Sequence, residues 1–257
     1  MKIFFIMALG RSGTQFLASL LAKSPGALVY HEPMPEDRMY FGLRYAGNFN
    51  KVVDHYLENR FQKLLPRKGH YRVYGEVNSY LRCEIDWLKK RFNPVLIHLV
   101  RDGRDFVRSA YTREVYTVKD KNIVVPQDDD PYAGQWTQWN RFQKLCWYWK
   151  HTNEFLGSHI QKTVQFEKLA ADYSYFDLHI LKPTGLDIPF DLWNREVKRP
   201  KNTSRRRILK QRIRGIVLPR GKNQRIKPIP HWTEWNQTQL QQFNEICAET
   251  MRTFGYI

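Results

Sequence analysis

Two short stretches carry residue types and spacings suited to binding anions. Gly10, Arg11, Ser12, Gly13 and Thr14 follow an apolar run from Ile3 to Leu9 and precede a stretch with helical periodicity. A strand, a glycine-bearing turn and a helix start, in that order, present backbone N–H groups and the positive helix end to an anion. Gly10 and Gly13 permit tight backbone geometry and close ligand approach, the Ser12 and Thr14 hydroxyls can donate, and Arg11 supplies a cation. The nucleoside-triphosphate loop GxxxxGK[ST] is not matched, because the nearest downstream lysine is Lys23, at the far end of the helix. A plain strand-to-helix turn of small residues would have the same composition.

The second stretch, HLVRDGRDFVRSAY at 98–111, repeats the arrangement. Arg101 ends a predicted strand and Ser109 lies eight residues on, one to two turns into the next helix. If the loop folds back, guanidinium and hydroxyl can meet on one phosphate with the forked geometry that Arg provides. Asp102, Arg104 and Asp105 read as a surface ion-pair cluster or a helix cap.

The elements that must position these residues alternate. Strands are predicted at 2–8, 27–31, 71–77, 94–100 and 163–166. Helices are predicted at 14–23, about 80–91, from Asp105, and over 136–156, with a polar and helical insertion between the second and third strands. Such alternation argues for a parallel sheet with helices on both faces. Phe16, Leu17, Leu20 and Leu21 give the first helix an apolar stripe, and the aromatics of 136–156 suit core packing. After Glu167 a segment from about 173 to 194 mixes helix and loop features. A last helix over 237–253 is expected to be capped by Thr238 and closed by Gly255.

In bulk, 257 residues with 42% hydrophobic content suffice for a substantial core, and no repeat or Gly/Ser linker divides the chain, so one domain is expected. The formal charge of +17 favours phosphate-bearing or sulfated partners. Residues 195–227 hold 14 Lys or Arg and one acidic residue, Glu196, so they supply +13 of that charge. This segment is either a solvated basic loop or a lid over an anionic ligand. Cys83, Cys146 and Cys247 have neither metal-site nor disulfide-scaffold spacing. Arg11 interrupts the N-terminal apolar run, which reads as a buried strand rather than a signal peptide, and no stretch approaches a membrane span. A cytoplasmic, soluble protein is expected.

Together these motifs resemble the sulfotransferases that use 3′-phosphoadenosine 5′-phosphosulfate (PAPS). GRSGTQF is similar to their 5′-phosphosulfate loop in an Arg-bearing version, and Arg101 with Ser109 to their 3′-phosphate motif in type and spacing. YGEVNSYL at 74–81, VQFEKL at 164–169 and the ending ETMRTFGYI resemble further family segments, although Val77, Asn78 and Ser79 stand where Lys and Pro are often found. PRGKNQR at 219–225 resembles, in a different residue order, a basic loop that touches the nucleotide.

The resemblance implies a three-layer α/β/α fold with a central parallel sheet, related to P-loop nucleotide-binding proteins. It implies PAPS as donor, adenosine 3′,5′-bisphosphate (PAP) as product, and no metal. Arg11, Ser12, Gly13, Thr14 and Gln15 would hold the phosphosulfate end, and Arg101 and Ser109 the 3′-phosphate, with Arg220 and Lys222 as further ligands. In a parallel sheet, ligands gather beyond the carboxyl ends of the strands, where His31, Glu32, Glu76 and Glu167 also fall. Arg11 would stabilise the leaving phosphate, and Glu32 is the first choice for the base that deprotonates the acceptor, with His31 second. The acceptor would be a hydroxyl or amine of a glycan, small molecule or peptide. Two other classes remain open: an ATP-dependent phosphotransferase, insensitive to a 3′-phosphate, and a non-enzymatic polyanion or nucleic-acid binder driven by the basic segment.

Overall fold

The run from Phe4 to Leu9 has no exposed surface, as expected of a strand covered on both faces. In the computed structural model it forms β1 (Lys2–Ala8), the middle strand of a five-stranded sheet. The structure describes residues 1–47, 49–65, 70–117, 124–199 and 229–257. The elements are β1, α1 (Thr14–Leu21), β2 (Ala27–His31), α2 (Asp37–Tyr45), α3 (Asn50–Leu64), β3 (Val73–Asn78), α4 (Ile85–Phe92), β4 (Val95–Val100), α5 (Gly103–Tyr111), α6 (Arg141–His159), β5 (Thr163–Gln165) and α7 (Phe166–Ala171). Short helical turns follow from Tyr173 to Thr184, then a helix at Phe190–Val197 and a C-terminal helix at Gln237–Thr253.

All four strand pairings are parallel, in the order β2-β3-β1-β4-β5. Alternate residues of β1 serve two different cores. Phe4, Ile6 and Ala8 pack with Leu17, Leu20, Leu21, Phe176 and Trp193 on one face. Phe5 and Met7 pack with Val53, Leu57, Phe61, Leu88 and Leu156 on the other. That period of two makes a three-layer α/β/α fold, and all five expected strands form with bounds within two residues of those read from the sequence. A Cβ on Gly75 would lie 2.0 Å from the Phe4 ring, so β3 needs glycine there to sit beside β1. A third core joins α5, α6 and the C-terminal helix through Phe106, Leu145, Cys146, Trp149, Cys247 and Met251.

Several boundaries differ from expectation, each for a local reason. Residues 136–140 are not helical, because the Asn140 side chain accepts from the Gln143 amide in a capping box that starts α6 at Arg141. The C-terminal helix is capped by Asn236 rather than Thr238, again through a reciprocal box, with Gln239. Gly255 does follow its end, at φ 70°. Helix α5 starts at Gly103 instead of Asp105, because Asp102 accepts from the Arg104 amide. Arg220, Lys222 and nearly all of the basic segment 195–227 lie outside the described residues. Among those that are described, no helix is long and apolar enough to cross a membrane.

Candidate active site

Because every strand runs the same way, Ala8, His31, Asn78, Val100 and Gln165 all end at one edge of the sheet. The chain leaves β1 toward β2 and leaves β4 toward β5, so the connections diverge between β1 and β4. Such a switch point opens a crevice for a ligand.

The two basic loops meet there. Arg11 Nε donates to Ser109 Oγ at 3.0 Å, and Arg101 Nη1 donates to the Arg11 carbonyl at 2.8 Å. Residues 98 positions apart are thus brought together before any ligand is considered. Arg101 Nε is buried without a hydrogen-bond partner, and the carboxylate it faces, Glu167 Oε1, lies 3.9 Å away. The Arg101 guanidinium lies 5.8 Å from the Phe166 ring and 3.5 Å from Asp105, and the Trp149 indole donates to its carbonyl at 2.9 Å. One of the aromatics in α6 therefore fixes this loop as well as filling the core.

The first loop combines left-handed backbone with an uncapped helix start. Arg11 and Gly13 have φ of 83° and 84°, and a Cβ on Gly13 would fall 2.1 Å from the Phe166 ring, so only glycine fits at that position. No side chain caps α1 and no acidic residue stands in its first turn, in contrast to α5 with Asp102 and Asp105. The amides at the start of α1 have no carbonyl one turn back within the helix. The Ser12 amide already donates to Leu9 O at 3.2 Å, and Ser12 and Thr14 are nearly buried while Gln15 is exposed.

The two base candidates stand at the end of β2 and just beyond it. His31 Nε2 lies 3.0 Å from Thr14 Oγ1, and burial pushes its imidazole below the usual value while Glu32 pushes back. Glu32 has φ of 45°, a left-handed conformation that turns its carboxylate across the edge to Ser79. Oε1 of Glu32 accepts from both the Ser79 hydroxyl and, at 3.4 Å, the Ser79 amide. Ser79 Oγ is 4.0 Å from the Cβ position of Gly10, so it stands between the first loop and Glu32. Burial and the Glu32 charge both raise the phenol of neighbouring Tyr80.

Glu76 belongs to a different cluster. Arg60 donates to both oxygens of Asp37 (2.6 and 2.7 Å) and of Glu76 (2.8 and 2.6 Å), and all three side chains have no exposed surface. Tyr56, Tyr74 and Asn78 supply further donors, which offset the desolvation of the second carboxylate. Asn78 Oδ1 also accepts from the Tyr80 amide at 2.8 Å, so this buried cluster braces the turn that carries Ser79. Glu167 sits at the other end of the edge, where Oε1 accepts from the Asp102 amide at 3.1 Å and Oε2 from Tyr256 at 2.8 Å. Burial raises its carboxyl, opposed by those donors and by Arg101. Sequence reasoning assigned no site role to Ser79, and read Trp149 only as core packing. The one feature that pointed at Ser79 was its place just beyond a parallel strand.

No protein-family model and no curated protein matches this sequence. Among solved structures, mouse sulfotransferase SULT7A1 complexed with PAP aligns with a TM-score of 0.52 at 15% identity, over 98% of this chain and 85% of its own. A sulfotransferase from Alicyclobacillus acidocaldarius aligns at 0.48 and 16% identity, over 74% of this chain and 83% of its own. The sulfotransferase domain from the curacin biosynthetic pathway aligns at 0.48 and 11% identity, over 100% and 98%. The topology and the glycine-bearing first loop define a three-layer α/β/α fold of the P-loop-like kind. Within that class it has the sulfotransferase fold.

Proposed function

We propose that this chain transfers a sulfuryl group from PAPS to a hydroxyl or amine. The observation that carries the reading is the meeting of the two basic loops at the β1–β4 switch point, with Arg11 on Ser109 and Arg101 on the Arg11 carbonyl. A nucleotide with phosphates at both its 3′ and 5′ positions matches two adjoining anion sites, one per loop. Support also comes from the mouse protein of the same fold, whose structure holds PAP.

On this reading the start of α1 holds the 5′-phosphate, and Arg101 with Ser109 holds the 3′-phosphate. The acceptor oxygen or nitrogen attacks sulfur in line with the bond to the bridging phosphate oxygen. As that bond breaks, its electron pair passes to the bridging oxygen and the acceptor proton passes to Glu32. Arg11 faces the charge that develops on the phosphate, so it stabilises the transition state more than the ground state. Ser79 engages one oxygen of Glu32, which leaves Oε2 for the acceptor proton. Half-buried Tyr80, Tyr116, Trp136 and Tyr148 cluster nearby, with Tyr116 5.8 Å from Tyr148 and 5.2 Å from Trp136.

Calorimetry against PAP, 5′-AMP and ATP tests the donor. PAP should bind at least about tenfold tighter than either, since a charge-assisted phosphate contact contributes about 1.5–3 kcal/mol. Equal affinities would refute the reading, and tightest binding of ATP would favour a phosphotransferase. Glu32→Gln should abolish labelled-sulfate transfer while PAP affinity stays within about twofold. Full activity in that variant would place the base elsewhere.

A further inference from the structure

His31 was the second choice for the base, yet its ring is engaged on the donor side. Nε2 lies 3.0 Å from Thr14 Oγ1, a contact between the end of β2 and the first residue of α1. Thr14 is 5% exposed, and no side chain caps α1, so its hydroxyl stands at a helix start that lacks a cap of its own. We propose that His31 is a positioning residue for the donor's 5′-phosphate, acting through Thr14: Nε2–H donates to Thr14 Oγ1 and so turns the Thr14 hydroxyl proton toward the anion. The inference rests on the sulfotransferase reading.

The contact turns on a single proton. A phosphate oxygen accepts hydrogen bonds, so Thr14 contributes only if its O–H points at the ligand. Were the imidazole the acceptor, that proton would point at His31 and Thr14 would present lone pairs to the phosphate. The bound state therefore selects the tautomer with hydrogen on Nε2. Burial keeps the ring neutral at neutral pH despite the opposing charge of Glu32, so one N–H is available, and this role uses it. Glu32, held by Ser79 on the other side of the edge, is then the group left to take the acceptor proton.

The test needs no acceptor. Dissociation constants are measured by calorimetry for PAP and for 3′-AMP, which lacks the 5′-phosphate. His31→Ala should weaken PAP roughly ten- to thirtyfold, the effect of one lost hydrogen bond at a charged ligand, and change 3′-AMP by less than about twofold. Thr14→Val removes the hydroxyl at nearly constant volume and should give the same pattern independently. The double variant should be no weaker than the stronger single one, because both remove the same interaction. His31→Gln, whose amide N–H can replace Nε2–H, should recover most of the loss. Equal weakening of PAP and 3′-AMP, or losses that multiply in the double variant, would overturn the proposal. A wild-type protein that binds PAP no tighter than 5′-AMP would instead bring down the donor reading itself.

Discussion

Replacing Arg101 with Ala separates the contact its guanidinium makes within the protein from the one proposed for it with the nucleotide. Nη1 donates to the Arg11 carbonyl at 2.8 Å, which supports the first loop whatever nucleotide is present. Loss of that neutral-acceptor bond is worth about 1 kcal/mol, so 5′-AMP should weaken roughly fivefold. Nε is buried and makes no hydrogen bond, with Glu167 Oε1 3.9 Å away as an ion pair, and on the proposed reading its hydrogen bond is made only to the 3′-phosphate. That contact is charge-assisted, and the side chain is 24% exposed, so it is only partly screened. At about 2 kcal/mol it adds roughly thirtyfold, which puts the loss for PAP near 150-fold. Titration calorimetry at fixed salt reads both numbers, and their ratio isolates the 3′-phosphate. Equal losses for PAP and 5′-AMP would show that Arg101 does not recognise the 3′-phosphate, whatever else it supports.

Two further perturbations follow from the geometry. Gly13→Ala places a Cβ 2.1, 2.4 and 2.7 Å from three atoms of the Phe166 ring at φ 84°, so the ring must move and carry Arg101 with it. A cost of about 2–3 kcal/mol is expected, read as a fall in Tm of roughly 5–10 °C together with weakened PAP binding; unchanged Tm would contradict the packing. His98, fully buried between Asn153 (3.0 Å) and Thr163 (3.2 Å), has its imidazole pushed down by burial to about 4. Below its ordinary value of about 6.5 the unfolded chain binds the proton and the folded one does not, so stability falls as pH drops from about 6.5 to about 4, by about 3 kcal/mol. In urea unfolding, the stability advantage of wild type over His98→Gln should shrink by that amount between pH 7.5 and pH 4. A constant difference would place a charged histidine there.

The parallel sheet was legible because its strands are apolar runs of ordinary length separated by helical periodicity, and burial on both faces leaves few other arrangements. The two glycine- and Arg-bearing loops were legible because glycine, hydroxyl and Arg in a strand–turn–helix context are local features. Helix starts were less so. Thr238 and Asn236 are both acceptable caps by type, and the choice was made by the reciprocal bond with Gln239, which a list of propensities does not contain. Glu76 was misplaced for a similar reason. A carboxylate near a strand end suggests a cleft, but here a buried Arg60 from α3 claims it.

The sequence by itself determined the order of elements and the residue types at the carboxyl edge, including Arg11, Arg101, Ser109, His31 and Glu32. Those properties are local, and strand polarity sends all of these residues to one side of the molecule. Only the tertiary structure decided which of them meet. Ser109 faces Arg11, His31 faces Thr14, and Glu32 faces Ser79, a residue that had been assigned no role. These pairings depend on strand order and register, which bring together side chains up to 98 positions apart. No local pattern encodes them, because the contact exists only once β1 lies between β3 and β4.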